Sequence, residues 1–180
     1  MTAKGGEVPP EAQAPPELPN HPLLSELAAS FEEVSFSQVP RVEAGPQDTA
    51  LVPREQIVAF MEAAFDLGYR MFVDLCAVDY FRRDPRFEVV VNVLALDPPH
   101  RLIVRVGVPA DDPTMPSITG VYPGANFYER EAFDLFGIQF AGHPDLTRIL
   151  LPDDWEGHPL RKDYEVGSVP VQFKGAHRAE

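Results

Sequence analysis

The sequence is poor in the features that hold metals, clusters and cofactors. Its 180 residues include a single cysteine, Cys76, so the chain forms no internal disulfide and lacks the thiolates that usually hold an iron–sulfur cluster. None of its 12 glycines lies in a G-x-G-x-x-G or G-x-x-x-x-G-K-[ST] loop, and no G-x-S-x-G elbow occurs. We therefore expect this chain to hold no flavin, nicotinamide, metal or cluster of its own.

Long apolar runs and an excess of positive charge are also missing. The longest apolar candidate, residues 87–96, is interrupted by Glu88 and Asn92, whereas a membrane-spanning helix needs about 18 apolar residues in a row. The N-terminus has no apolar core of a secretory signal. The formal net charge is -13, and nucleic-acid binding needs a basic patch that neutralises phosphates. We expect no membrane span and no nucleic-acid partner, while basic protein partners suit an acidic chain.

Proline is abundant at the N-terminus, where residues 1–22 carry six of the 20 prolines among small and acidic residues. This composition predicts a disordered tail. A short amphipathic helix is predicted next, because apolar residues recur at i, i+3, i+4 and i+7: Leu24, Leu27, Ala28 and Phe31. Residues 34–42 and 50–52 then alternate weakly around a turn at 43–48, which predicts a hairpin at a sheet edge.

The middle of the chain predicts the core. Pro53 opens a helix that Gly68 ends, and one face of this helix is apolar: Ile57, Phe60, Met61, Ala64 and Phe65. Three apolar runs follow at 71–80, 87–96 and 102–108, with turns between them, and they predict an antiparallel meander. The expected fold is therefore α+β, with helices packed on a mostly antiparallel sheet in two layers over residues 23–137.

A third helix is predicted at 127–136, after a connection at 109–124 whose prolines and glycines interrupt regular structure. Asn126 and Glu129 have the spacing of a capping box, Arg130 and Asp134 stand at i, i+4 as a surface pair, and Gly137 ends the helix. Its apolar stripe is Tyr128, Ala132, Leu135 and Phe136.

Residues 138–180 show no sustained period, and we predict an extended C-terminal segment that wraps partner proteins. A stretch of this length without periodicity is uncommon in a compact domain and indicates a function or ordering by a partner. The segment nonetheless keeps aromatic residues and basic anchors that suit an interface: Phe140, Trp155, Tyr164, Arg148, Arg161 and Lys162.

An enzymatic alternative would group carboxylates and imidazoles as a hydrolytic or metal site: Glu129, Glu131, Asp134, His143 and His158. Glu129 and Glu131 are about 200° apart around a helix, so they cannot converge on one metal. Both histidines lie in Gly-His-Pro tripeptides, where proline favours an extended histidine backbone. Structural hydrogen bonds are therefore the favoured role of these histidines, ahead of a partner contact and of catalysis.

Two motifs carry a resemblance to a known family. Residues 129–137 match E-R-E-x-[FY]-D-[LM]-[FY]-G, and residues 155–164 match W-x-G-H-P-L-R-K-D-[FY]. With the stretch between them, this signature segment (residues 126–164) resembles the C subunit of the proton-pumping NADH:quinone oxidoreductase, respiratory complex I, in its form not fused to the D subunit. The resemblance implies that partner contacts involve Glu129, Arg130, Glu131, Asp134, His143, Arg148, Trp155, His158, Arg161, Lys162 and Asp163.

The resemblance also implies a cofactor-free structural and assembly component of the peripheral arm. Its partners would be chiefly the D subunit, and also the B, I and G subunits, with the FMN and iron–sulfur clusters in partner subunits. The complex would lie at the inner membrane, with this chain peripheral on the cytoplasmic side. A related component of membrane-bound hydrogenases or formate hydrogenlyase stays open as an alternative, and so does a stand-alone hydrolase using His143 or His158.

Overall fold

The computed structural model describes residues 21–40 and 46–165. Residues 1–20 of the tail predicted at 1–22, and the end of the C-terminal segment, lie outside the described residues. The helices of this part are α1 Pro22–Ser30, α2 Ile57–Asp66 and α3 Ala125–Phe136, with a 3-10 turn at Arg54–Gln56 before α2. Its strands are β1 Ser35–Val39, β2 Gln47–Leu51, β3 Met71–Asp79, β4 Phe87–Leu96, β5 Pro99–Val108, β6 Thr114–Pro116 and β7 Gln139–Ala141.

Five strands form one sheet in the order β1-β2-β5-β4-β3. The pairs β1/β2, β3/β4 and β4/β5 are antiparallel, and β2 runs parallel to β5. The predicted meander is β3-β4-β5, and the predicted edge hairpin is β1-β2. The α+β fold with a mostly antiparallel sheet is therefore confirmed.

One face of the sheet carries the core. Alternate residues of β4 point into it and are fully or almost fully buried: Phe87, Val89, Val91, Val93 and Ala95. Leu27 of α1, Phe60 of α2 and Ala132 of α3 belong to the same hydrophobic cluster. Burying a large apolar side chain contributes about 1.5–3 kcal/mol, so this cluster accounts for the packing of the helices on the sheet. The other face carries polar cross-strand pairs, such as Arg105 with Glu88 at 2.7 Å.

The predicted start of β2 at residue 50 is wrong, because the strand begins at Gln47 and includes buried polar residues. Asp48 accepts hydrogen bonds from Gln38 Nε2 at 2.8 Å and from His100 Nε2 at 2.7 Å. The hydroxyl of Tyr69 donates to His100 Nδ1 at 2.6 Å. These hydrogen bonds offset the cost of burying the Asp48 carboxylate. Because the buried residues at the start of β2 are polar, the strand shows no apolar alternation that would have revealed where it begins. The predicted run at 102–108 is likewise too short, since β5 begins at Pro99.

The capping box predicted for α3 is also wrong. The helix begins at Ala125, so Asn126 lies inside it, and its N-cap, Gly124, makes no side-chain cap bond. Glu129 is fully buried and instead accepts hydrogen bonds from the Ile118 N–H at 2.8 Å and the Ser117 hydroxyl at 2.7 Å. This carboxylate fixes the connection that precedes the helix, which sequence spacing alone did not indicate.

The irregular connection at 109–124 contains β6, which pairs in parallel with β7 at the start of the C-terminal segment. Ile138 and Phe140 are buried in the core. The chain therefore continues to pack on the domain after α3, whose C-cap is Gly137. Among the described residues, no helix is both long enough and apolar enough to cross a membrane.

Candidate functional site

Asp134 organises the middle of the signature segment. Its side chain is 0% exposed and accepts a hydrogen bond from Arg148 Nη1 at 2.7 Å. The backbone N–H groups of Ile149, Leu150 and Leu151 donate to Asp134 Oδ2 at 3.1, 2.8 and 2.9 Å. Three consecutive amides therefore converge on one carboxylate, and this arrangement fixes the backbone of residues 148–151 against α3.

Burial by itself raises the pKa of Asp134, but the hydrogen bonds from the three amides and Arg148 outweigh it and hold the pKa of this carboxyl below its ordinary value. Hydrogen bonds to the charged form stabilise that form. Asp134 is therefore ionised at neutral pH and serves as a fixed anion inside the segment.

The predicted surface pair of Arg130 and Asp134 is wrong. Arg130 donates to the carbonyl oxygens of Thr147 at 3.1 Å and Arg148 at 2.9 Å, while Asp134 is occupied by Arg148. The i, i+4 spacing places the two residues on one side of the helix, but both bind residues 147–151, which pack against α3, and not each other. Both residues hold the signature segment in place.

The two histidines make structural hydrogen bonds. His143 Nδ1 accepts from the Asp145 N–H at 3.0 Å, which leaves Nε2 to donate to the Asn126 carbonyl at 3.2 Å. His158 Nδ1 donates to the Asp134 carbonyl at 2.9 Å, and burial lowers the pKa of His158. The structural role predicted for the histidines is confirmed.

The glycines before these histidines have positive φ, +85° at Gly142 and +84° at Gly157. Glycine adopts this conformation without the steric cost that a Cβ would impose. At Gly157 an added Cβ would also lie 2.7 Å from the ring of Tyr164. The Gly-His-Pro tripeptides are thus turns that place each imidazole within hydrogen-bonding distance of a carbonyl oxygen on α3.

Arg161 binds the signature segment to the C-terminal end of α3. Its Nε donates to the Phe136 carbonyl, and its guanidinium carbon lies 5.2 Å from the centre of the Phe87 ring. The neighbouring Leu160 N–H donates to the Leu135 carbonyl at 3.1 Å. Side chains and amides of the segment therefore satisfy the last carbonyls of the helix, which would otherwise lack partners.

A second buried acid ties the segment to the sheet. Asp79, at the end of β3, accepts from Arg86 Nε at 2.9 Å and Nη2 at 2.7 Å, and from the Lys162 N–H at 2.8 Å. Arg86 also donates to both oxygens of Asp163 at 2.9 and 2.7 Å. Arg86 thus bridges a buried and an exposed carboxylate, and sequence analysis missed both Asp79 and Arg86 because neither lies in the signature segment.

The Asp79 contact predicts an acid-dependent loss of stability. Hydrogen bonds from Arg86 hold the pKa of Asp79 at about 2, below its ordinary value of 3.8. Because the folded pKa is depressed, the stabilisation is complete above about pH 4 and is lost as the pH falls through about 2; it amounts to about 2 kcal/mol. The unfolding free energies of wild type and Asp79→Asn, measured in denaturant from pH 6 to pH 2, should converge towards pH 2.

Asp163→Asn is the matched control, because Asp163 binds the same arginine but is 48% exposed. Exposed ion pairs contribute little, so at pH 6 the unfolding free energy of this variant should differ from that of wild type by less than that of Asp79→Asn does. An Asp79→Asn chain as stable as wild type at pH 6 would contradict the assignment.

Two of the carboxylates named for a metal or hydrolytic site point in different directions. Glu129 faces the core and Glu131 faces solvent on the same helix, as their angular separation predicted. In residues 21–40 and 46–165, no group of three or more His, Cys, Asp or Glu side chains is arranged to hold a metal ion. Asp134, Arg130 and the two histidines instead bind backbone groups of the signature segment.

The segment presents apolar side chains outwards. Leu150 is 62% exposed, Leu160 is 48% exposed, and Ile149 is also exposed. Their backbone N–H groups are held at Asp134 and Leu135, near the C-terminal end of α3. We call these three exposed side chains on the anchored backbone the apolar patch. Trp155 is half-buried, and its indole nitrogen is buried without a hydrogen-bond partner among the described residues. Large exposed apolar groups on a fixed backbone are typical of protein interfaces.

Comparison with known proteins assigns the family. The family model described as "Respiratory-chain NADH dehydrogenase, 30 Kd subunit" matches residues 50–169. The chain belongs to this family. The match contains the sheet from Ala50 onwards, α2, α3 and all of the signature segment. The resemblance carried by the two motifs is thereby confirmed.

Named relatives agree with the family. The NADH-quinone oxidoreductase C subunit of Roseiflexus castenholzii is 50% identical over 117 residues, which cover 65% of this chain and 67% of the relative. The C subunit of Herpetosiphon aurantiacus is 43% identical over 151 residues, which cover 81% of this chain and 88% of the relative. Homologues of this chain are thus C subunits of NADH-quinone oxidoreductase.

Solved structures show the same fold. A trypsin-resistant fragment (1-134) of Nqo5 has a TM-score of 0.59 at 33% identity and covers 69% of this chain and 96% of that chain. A chain of an archaeal membrane-bound sulfane sulfur reductase has a TM-score of 0.69 at 20% identity and covers 88% of this chain. The second likeness shows the fold alone.

Proposed function

We propose that this chain is an assembly component of the peripheral arm of NADH:quinone oxidoreductase and that it performs no step of the reaction itself. The complex transfers electrons from NADH through FMN and iron–sulfur clusters to quinone and couples this transfer to proton translocation. The observation that carries the proposal is the apolar patch of Ile149, Leu150 and Leu160, which is exposed while its backbone is fixed by Asp134 and α3.

The chemistry of the side chains supports a cofactor-free role. Cys76 is the single cysteine, and the buried acids Glu129, Asp134 and Asp79 are occupied by hydrogen bonds from their own chain. The two histidines are occupied in the same way. We therefore propose that the FMN and iron–sulfur clusters lie in partner subunits. In the enzyme, this chain contributes to activity by holding the subunits that carry the redox centres.

The proposed partners are chiefly the D subunit, and also the B, I and G subunits. The described part of the C-terminal segment, residues 138–165, would contact them with the side chains that face outwards, while its inward hydrogen bonds keep its shape. Through these partners the chain would lie peripherally at the inner membrane, on the cytoplasmic side. A place in a hydrogenase-type complex is the weaker alternative, because the relatives that are 50% and 43% identical to this chain are named as NADH-quinone oxidoreductase subunits.

Substitution of the apolar patch tests the proposal. We expect Leu150→Ser together with Leu160→Ser to lower the affinity for partner subunits about thirtyfold, since losing interface anchors costs about 2 kcal/mol or more. The stability of the chain itself should change little, because both side chains are exposed. The measurement is the amount of partner subunits that co-purify with a tagged chain from its own host.

Leu96→Ser is the matched control, because Leu96 is 70% exposed and lies at the end of β4, outside the residues of the signature segment. It should co-purify partners at the wild-type level. Wild-type recovery of the partners by the double variant would remove the patch from the interface and overturn the proposal.

A further inference from the structure

The loop between β3 and β4 and the turn at 161–163 meet in one corner of the molecule, which we call the basic corner (residues 79–86 and 161–163). Arg86 donates to Asp79 and to Asp163, and the Lys162 N–H donates to Asp79. These bonds lock the loop to the end of the signature segment. Residues 79–86 lie outside that segment, and the proposed function gives their loop no role of its own.

Phe81 at the tip of this loop is held in an unfavourable state. Its φ is +57°, in the left-handed region that bulky residues avoid, and its side chain is 47% exposed. Such a backbone costs about 1–3 kcal/mol and persists only where the surroundings enforce it. The Phe81 N–H donates to Asp79 Oδ1 at 2.7 Å, and the Arg86 guanidinium lies 5.4 Å from the ring centre. The fold therefore tolerates local strain while it displays an aromatic ring in solvent.

The charge of the basic corner is opposite to that of the chain. Five cationic side chains stand here against three carboxylates, whereas the whole chain has a net charge of -13. Two of the carboxylates, Asp79 and Asp163, are taken by Arg86. Arg82, Arg83 and Lys162 are exposed, and the Arg83 guanidinium lies 4.1 Å from the centre of the Tyr80 ring. The exposed cations of this corner thus outnumber its free carboxylates, and Arg82 directly follows the exposed Phe81 in the chain.

We propose that the basic corner is a second docking surface, which binds an acidic segment of a partner protein through Phe81 and the exposed cations. This inference rests on the proposed function, because it requires a protein partner. Arginine and aromatic residues are enriched at such interfaces, and complementary charge selects the partner. Anionic membranes are bound instead by clusters of about four to eight lysines and arginines, and the carboxylates interspersed here weaken such a cluster.

A photocrosslink identifies the occupant. In the full-length tagged chain expressed in its own host, photoreactive benzoylphenylalanine replaces Phe81, or in parallel Leu150 or Leu96. Leu96 lies at the other end of β4, roughly 30 Å from the corner at the rise of an extended strand. We expect the probe at position 81 to attach to a partner peptide in which Asp and Glu outnumber Lys and Arg, and the probe at position 96 not to attach to that peptide.

Charge reversal supplies the second readout. Arg82→Glu with Arg83→Glu should lower the crosslink yield at position 81 by about tenfold. The control is Arg70→Glu with Arg101→Glu, which makes the same change in net charge at two exposed arginines elsewhere and should leave the yield unchanged. Equal yields from the two double variants would overturn the charge recognition.

Four other outcomes of the crosslinking experiment would each refute a proposal. If the probe at position 81 attaches only to lipid, the occupant is a membrane surface and the proposal of a protein partner is refuted. Attachment to a basic peptide or to nucleic acid would also refute the proposal. No attachment at position 81 while position 150 attaches to a partner protein would refute the basic corner alone. Failure at both positions would refute the proposed function together with this inference.

Discussion

Replacing Asp134 by alanine should release residues 148–151 from α3 and cost about 4 kcal/mol of local stability, because removing one partner of a buried ion pair leaves the other charge uncompensated. Arg148 would lose its carboxylate, and the amides of Ile149, Leu150 and Leu151 would lose their acceptor. The apolar patch would then no longer be held in one place. Hydrogen exchange of these amides measures the effect, and a loss of about a thousandfold in protection corresponds to that free energy.

Asp134→Asn separates charge from hydrogen bonding, since it keeps one oxygen acceptor and should lose less protection than Asp134→Ala. Glu131→Ala is the control on the same helix, because Glu131 is exposed, and it should exchange like wild type. If the three amides stay protected in Asp134→Ala, then other contacts fix the segment and Asp134 does not organise it.

Gly137→Ala should have the second large effect, about 3 kcal/mol, and should displace the end of the signature segment. The residue has φ +73°, and an added Cβ would lie 2.6 Å from Arg161 Nη2 and 2.6 Å from the His158 ring. The cost therefore combines left-handed strain of about 1–2 kcal/mol with overpacking of about a further 1–3 kcal/mol. Denaturant unfolding measures the total, and the His158 ring resonances report the displacement.

Gly142→Ala isolates the strain. Gly142 has a similar φ of +85°, but an added Cβ there would meet nothing within 4 Å. This variant should lose about 1–2 kcal/mol and leave the His158 resonances unchanged. If Gly137→Ala and Gly142→Ala lower the unfolding free energy equally, then contact of the added Cβ with His158 and Arg161 does not contribute to the cost.

The sequence predicted the sheet and the helices because their signals are local. The alternation of Phe87, Val89 and Val91 and the helical spacing of Leu24 and Leu27 indicate which face is buried. The strand β2 was placed wrongly because its buried residues Gln47, Asp48 and Thr49 are polar. Their burial depends on partners distant in the chain, such as His100, which no local period encodes.

The same limit applies to the acids of α3. Local spacing assigned Glu129 to a cap and Asp134 to a surface pair, and both assignments were wrong. The partners of Glu129 are 11 and 12 residues earlier, and those of Asp134 are 14 to 17 residues later. The histidines were predicted better, because a glycine before and a proline after each one constrain its backbone locally. The contacts with partner subunits stay predictions.

Arg161 contacts its own chain and also lies in the segment proposed to contact partner subunits. A truncation of Arg161 would remove its hydrogen bond to the Phe136 carbonyl and its contact with Phe87, so it would disturb the chain as well as an interface. Leu150 and Leu160 have exposed side chains and separate the two effects. They are therefore the better probes of assembly.

The most direct test of the assembly role is NADH:quinone turnover per assembled complex in the chain that carries Leu150→Ser and Leu160→Ser. Complex is purified through the tag on this chain, and turnover is divided by the amount of assembled complex. The expected result is a reduced amount of complex with wild-type turnover in each complex that forms. Normal assembly with abolished turnover would show that the segment takes part in the chemistry and would contradict the assembly role.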